Sequence, residues 1–527
     1  MAVASTSERP SDNDATGRAR LWLVLAATCI SQGMILLDNT IVSVALPAIQ
    51  RGLRVSPSNL EWTVNAYVLA LASLILVGGT LGDRYGRKRL FLIGLAVFTI
   101  FSAACGLSRS DGELIVHRAA QGVGAAIMAP LTLSILVEAY PPERRPTAIG
   151  IWASVAGLGF GAGPIVGGLL IHAFGWPAIF WVNVPLGVAG FILALGAIRE
   201  SRDPDARSLD PTGTTLVTAG LFLLTFALVE TNVHHWLSTY TLSLAAAALM
   251  ALVLFVLHEA RAAHPMVPLA LFRNPVFATA NAVYALAYAS LAAIFFFVTL
   301  YFQNVKGWSA MRTGLSWIPI NLPFLAISPF AGRIGRRFGA TRLIGLGLGL
   351  GGVAAFGLAR LDVGSPFAAA WPFYLLIGLG YGLLVPAVSA VAMATVPADH
   401  SGAGSGILNS SRQVGAAIGL AALGSISVAT ASSAWRASLA AFPEGAQRRA
   451  AALAQQVAGG EGHVVASLLG PETLPPALAA FSSGLHAALT VAGVVLLAAA
   501  LIAIVWLRAP AARPVSRSED ASPPVSR

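Results

Sequence analysis

Apolar residues along this chain run in long blocks, not in amphipathic stripes or alternating strands. Residues 21–36, 66–81, 211–229 and 487–507 each reach, alone or with their flanks, the length of a helix that crosses a bilayer, which takes about 20 residues. Short polar segments rich in Gly and Arg separate the blocks. The pattern predicts helices over 21–47, 60–80, 89–108, 114–138, 146–170, 180–198, 211–229, 240–258, 277–302, 314–331, 341–360, 370–394, 412–430 and 480–507. That is an all-α polytopic membrane protein with fourteen spans. An even number places both termini on one side.

Composition fits this reading. Only 11% of residues are charged and 56% are hydrophobic, where a soluble domain carries about 25% charged residues. The formal charge of +10 could suggest nucleic acid. However, the basic residues sit in short clusters between apolar blocks, where they fix orientation. With the N-terminus in the cytoplasm, 23 Lys and Arg fall in inner segments and 9 in outer ones, leaving Arg118 inside a helix. Both termini are therefore expected in the cytoplasm, and no nucleic-acid partner is expected.

Residues 1–20 and 508–527 read as cytoplasmic tails. The first apolar block reads as a retained helix, not a cleaved leader. Residues 21–198 form a first half and 263–507 a second. The stretch 199–262 holds a linker and two extra helices. An external loop at 431–479 includes a candidate amphipathic helix over 445–457. Cys29 and Cys105 lie in apolar surroundings and read as buried thiols. The nine histidines are scattered, so no metal site is expected. There is no Gly-x-x-x-x-Gly-Lys phosphate loop, so no nucleotide or other cofactor is expected. Nothing indicates an enzyme.

Ionisable residues inside spans are functional-site hypotheses by default. Asp38 is one. It could carry a proton, contact a cationic substrate, or hold structure through a hydrogen bond. Arg118, with Gln121 beside it in Gln121-Gly-Val-Gly, needs a partner or a wet cavity. Gly79-Thr-Leu-Gly-Asp83-Arg84-Tyr-Gly86-Arg87-Lys88-Arg89 joins two spans. Its glycines permit a tight turn, and Asp83 can sit against a positive helix end or a neighbouring arginine. Gly157-Leu-Gly159-Phe-Gly161-Ala-Gly163-Pro164-Ile-Val-Gly167-Gly168 offers small faces for close helix contact, with a proline that can bend the helix.

In this order these segments resemble the major facilitator superfamily, most closely its fourteen-helix drug:proton antiporter branch of multidrug efflux transporters. Gly332-Arg333-Ile-Gly335-Arg336-Arg337-Phe-Gly339 echoes the first loop without its acid, as duplicated halves would. The resemblance implies two six-helix bundles plus two extra helices, rocking about a central site. It implies proton coupling or gating by Asp38, Asp83, Arg84, Arg87, Arg118 and Gln121. It also implies an antiporter motif at Gly159, Gly163, Pro164, Gly167 and Gly168, packed on a second-half helix to limit leakage. Asp38, Asn65, Tyr67, Trp152, Phe296, Trp317 and Tyr381 are the candidate substrate contacts.

The expected function is export of small hydrophobic drugs, antibiotics or related compounds across a bacterial inner membrane in exchange for protons. The expected partners are the small-molecule substrate, protons and membrane lipids. A monomeric transport unit, with or without accessory export partners, is expected. Alternatives are an exporter of an endogenous metabolite or amino acid, an uptake carrier, and a non-transporting sensor or structural protein.

Overall fold

The computed structural model describes residues 12–53, 57–202, 210–230, 238–262, 265, 267–397, 400–442 and 444–507. Most of both expected tails lies outside these residues, as do the side chains of Pro47, Phe160 and Pro164. The described residues form helices throughout. The first group is α1 (Asp12–Leu53), α2 (Pro57–Tyr85), α3 (Arg87–Leu107), α4 (Asp111–Ala139), α5 (Arg145–Phe174), α6 (Ala178–Trp181) and α7 (Asn183–Ala197). A pair follows, α8 (Pro211–Glu230) and α9 (Thr239–Glu259). Then come α10 (Pro275–Leu300), α11 (Ala310–Ser316), α12 (Ile318–Phe338), α13 (Ala340–Leu358), α14 (Trp371–Ala394) and α15 (Ser401–Ser438). The last are α16 (Glu444–Ala452), α17 (Ala454–Ala458), α18 (Gly462–Leu469) and α19 (Leu474–Trp506).

Twelve helices among the described residues are long and apolar enough to cross a membrane, not the fourteen expected from sequence. The expected spans 146–170 and 211–229 do fold as helices, but their described apolar stretches are only Ile165–Phe174 and Pro211–Ala227. α5 is rich in glycine and packs between α1 and α12. Its small residues allow close contact with both neighbours.

Packing divides the helices by sequence. α1 lies on α5 and α7, and α4 lies between α2 and α3. Later, α10 packs on α15 and α19, α14 on α12 and α13, and α13 on α19. The two groups meet where α2 touches α15 and α5 touches α12. α8 packs on α9 and on the outside of α2.

Two glycines turn the chain in equivalent ways. Gly86 (φ 104°, ψ 124°) joins α2 to α3, and Gly339 (φ 91°, ψ 131°) joins α12 to α13. An L side chain rarely adopts either conformation. The matched angles agree with the sequence echo between the two Arg-rich loops. One end of the molecule gathers these loops. There Arg20 Nε donates to the Ala197 carbonyl, and Arg336 Nη1 donates to that of Glu143. The end of α19 returns to the same place, where the Thr341 hydroxyl donates to the Leu507 carbonyl.

At the opposite end the expected loop 431–479 is folded. α15 continues to Ser438, and α16, α17 and α18 follow before α19 begins. Trp435 is fully buried there among Val457, Val465 and Ala477, and its Nε1 donates to the Ala450 carbonyl at 2.7 Å. The expected helix over 445–457 is split between α16 and α17.

Candidate functional site: an intramembrane ion pair and a closed basic end

Asp38 sits in α1 with no solvent exposure. Arg118 Nη1, from α4, donates to its Oδ2 at 2.5 Å. Gln121 Nε2 donates to Oδ1 at 2.9 Å, and Asn183 Nδ2 to the same oxygen at 3.2 Å. The guanidinium is held on its other sides. Its Nε donates to the Thr63 carbonyl at 3.0 Å and Nη1 to Gln121 Oε1 at 2.7 Å. Its face lies 4.3 Å from the centre of the Tyr67 ring. Ser102 extends the network, accepting from Asn183 and donating to the Phe180 carbonyl.

A buried ion pair must be satisfied to this degree. Removing one partner leaves a charge in a medium of low dielectric, at a cost of about 3–5 kcal/mol. The spacing of Arg118 and Gln121 explains their joint action, since residues three apart on a helix share a face. Asp38 and Asn183 arrive from other helices. Chemically, the cluster is a carboxylate held by one arginine, one glutamine and one asparagine from two other helices.

The second arrangement closes the basic end. Asp83 Oδ1 accepts the Gly402 N–H at 2.7 Å, and Oδ2 accepts that of Ala403 at 2.6 Å. These are unsatisfied donors of the first turn of α15, where a negative charge is favoured. Arg87 Nε donates to Asp83 at 2.8 Å, and its Nη1 reaches Glu138 at 2.5 Å. Ser134 and Ser401 hydroxyls meet at 2.7 Å, and Ser405 donates to the Pro130 carbonyl. A Cβ on Gly79 would overlap the Gly402 carbonyl oxygen, so the backbones of α2 and α15 touch here. Arg84 takes no part in this contact and lies over Tyr85.

Away from that end, a cavity of about 1210 Å³ opens between α2, α8, α10 and α15. It runs up to α17 of the folded loop, and Asn65, Leu221, Phe296, Gln413 and Arg436 are among its lining residues.

A model of the Major Facilitator Superfamily matches residues 28–420. The chain belongs to that superfamily. It is similar to the tetracenomycin C resistance and export protein of Streptomyces glaucescens, at 35% identity over 92% of each chain. It is also similar to a cephamycin export protein of Amycolatopsis lactamdurans, at 38% identity over 77% of this chain and 85% of that one. Among solved structures, a human organic anion transporter superposes with a TM-score of 0.59 at 16% identity, covering 94% of this chain and 100% of that one, and shares the fold. The protein is thus a multi-pass bacterial membrane transporter of the superfamily, not an enzyme.

Within that family frame the glycines of α5 divide between two neighbours, α1 in the same half and α11 and α12 in the second. A Cβ on Gly159 would lie 2.5 Å from the Gly33 carbonyl, and one on Gly167 would lie 2.8 Å from Ile41 Cγ1. One on Gly163 would overlap the Thr40 hydroxyl. All three pack on α1, in the same half. Gly168 lies against Met311 of α11, and contact with α12 is made by Gly150 and Gly157.

The candidate substrate contacts also separate. Asn65 and Phe296 line the cavity. Trp152 is buried, with its Nε1 donating to Thr132. Trp317 stacks between Phe295 and Tyr374. Tyr381 donates to the Ala287 carbonyl. Tyr67 underlies Arg118, and Asp38 is enclosed. Sequence reasoning missed Ser102, Thr63 and the helix-end acid Glu138 as partners in these networks. Asn183, at the start of α7, has no signal along the chain that ties it to Asp38.

Proposed function

We propose that this transporter exports small, largely apolar antibiotic-like compounds in exchange for protons, by alternating access. The observation that carries the coupling is the enclosed Asp38–Arg118 pair. It is a titratable group whose protonation must change how α1 and α4 hold together. The functions of its relatives, resistance and export, support the direction. Contact of Asp83 with α15, opposite a cavity that reaches the external loop, corresponds to the outward-facing stage of the cycle. This makes the protein a drug:proton antiporter, with 21–198 and 263–507 as the moving halves and 199–262 as an insert. One polypeptide is the transport unit.

We place the basic end in the bacterial cytoplasm, with both termini, because the arginine clusters, the start of α1 and the end of α19 lie together there. The energetics suffice. A membrane potential supplies about 2.3 kcal/mol per charge per 100 mV, and one pH unit about 1.4 kcal/mol per proton. A hundredfold substrate gradient costs about 2.7 kcal/mol.

The test is uptake of labelled antibiotics into inverted vesicles. Accumulation should follow an acid-inside gradient and vanish with an uncoupler. Accumulation that ignores the uncoupler would overturn the coupling, and uptake only into right-side-out vesicles would overturn the direction.

A further inference from the structure

The two intramembrane arginines have opposite surroundings. Arg118 is saturated by Asp38, Gln121 and the Thr63 carbonyl. Arg412 lies on α15, eleven residues past Ser401, about 16 Å along the helix from its start. It pairs with no carboxylate among the described residues, and its Nε is buried without a hydrogen-bond partner. Its guanidinium lies 5.6 Å from the centre of the Tyr288 ring. The buried Tyr67 hydroxyl likewise lacks a hydrogen-bond partner.

Position connects this cation to the cavity. Arg412 is one turn below Ala416, and Tyr288 is one turn below Ala292. Ala416 and Ala292 both line the cavity, and residues four apart share a helix face. Arg412 and Tyr288 therefore sit one turn inward of these lining residues, with Gln413, next to Arg412 in the chain, itself part of the lining. Phe296, Phe297 and aliphatic side chains supply apolar walls, Arg436 lies at the outer end, and among the described residues no Asp or Glu lines it. Its volume of about 1210 Å³ suits a drug-sized molecule. An unpaired cation at this depth is costly, and a bound anionic oxygen offsets that cost. A cationic cargo would meet positive charge at both ends.

We infer that Arg412 recognises the charge of the cargo, and that the cargo is an organic acid: an apolar ring body bearing one carboxylate, enolate or phenolate oxygen. This deepens the export reading and rests on it for transport, though not for binding.

The test uses 9-anthracenecarboxylate and its methyl ester as fluorescent probes. Equilibrium binding is measured on the purified full chain in nanodiscs. The wild type should bind the acid more tightly than the ester. Arg412→Gln should weaken acid binding by about 10- to 150-fold, the range of one charged hydrogen bond, and change ester binding less than about threefold. Arg412→Lys should restore most of the preference. Ala416→Glu, which sets a carboxylate one turn above Arg412, should abolish it even if Arg412→Gln misfolds. A wild type that fails to prefer the acid overturns the proposal, as does an Arg412→Gln protein that keeps the preference. Flux of the acid into inverted vesicles is read separately. Binding that depends on Arg412 without gradient-driven flux would refute the export reading and leave the recognition site standing.

Discussion

Asp83→Asn is the substitution that most directly perturbs the closed basic end. Asp83 is buried and accepts two backbone N–H groups of α15 at 2.7 and 2.6 Å while pairing with Arg87. An amide of the same shape keeps one acceptor, turns a donor toward an N–H group, and removes the charge that favours the helix N-terminus. A hydrogen bond to a charged group is worth about 1.5–3 kcal/mol. The amide loses one such bond to α15 and the charge behind the other, about 3 kcal/mol in all, while Glu138 still holds Arg87 within the first half. Because the contact joins α2 to α15, this energy weighs directly on the closed arrangement. At about 1.4 kcal/mol per tenfold, closure loses roughly a hundredfold in its equilibrium constant. Spin labels at Tyr85→Cys and Phe338→Cys, both exposed near this end, would read the separation. Cys29 and Cys105 are buried and need not be removed. The native chain should give a short-distance population, and Asp83→Asn should shift it to longer distances. An unchanged distribution in the variant would refute the assignment of Asp83 as the closing contact.

Gly163→Val should force α5 from α1 at Thr40 and lower stability by about 1–3 kcal/mol, the usual cost of overpacking. Thermal unfolding in detergent would show this as a reduced midpoint. Trp435→Ala should cost about 3–5 kcal/mol, as a truncated core aromatic does, and the loss should be confined to the external cap. Limited proteolysis within 444–470 should then accelerate while the membrane helices stay protected.

Much of the chemistry was legible in sequence because it rests on residues close together in the chain. Gly82, Asp83, Gly86 and Arg87 stand within one loop, and Arg118 and Gln121 within one helical turn. The partners that complete each site come from far along the chain. Asn183 reaches Asp38 across 145 positions, and Gly402 reaches Asp83 across 319, with no local pattern to signal either meeting. The apolar blocks locate the helices, but the described residues give twelve that are long and apolar enough to cross a membrane against the fourteen expected. Aromatic residues were the least readable. Phe296 faces the cavity while Trp317 and Tyr381 are locked in packing, because rotation about each helix axis decides between these fates.

The central claim is that Asp38, tied to Arg118, couples proton movement to transport. Asp38→Asn keeps the shape of the cluster and removes its titration. Two assays on reconstituted vesicles separate the steps: accumulation driven by a pH gradient, and exchange of labelled for unlabelled substrate at equal concentrations. The native protein should do both. Asp38→Asn should still exchange substrate but should not concentrate it. Gradient-driven accumulation by Asp38→Asn at the native level would contradict the account.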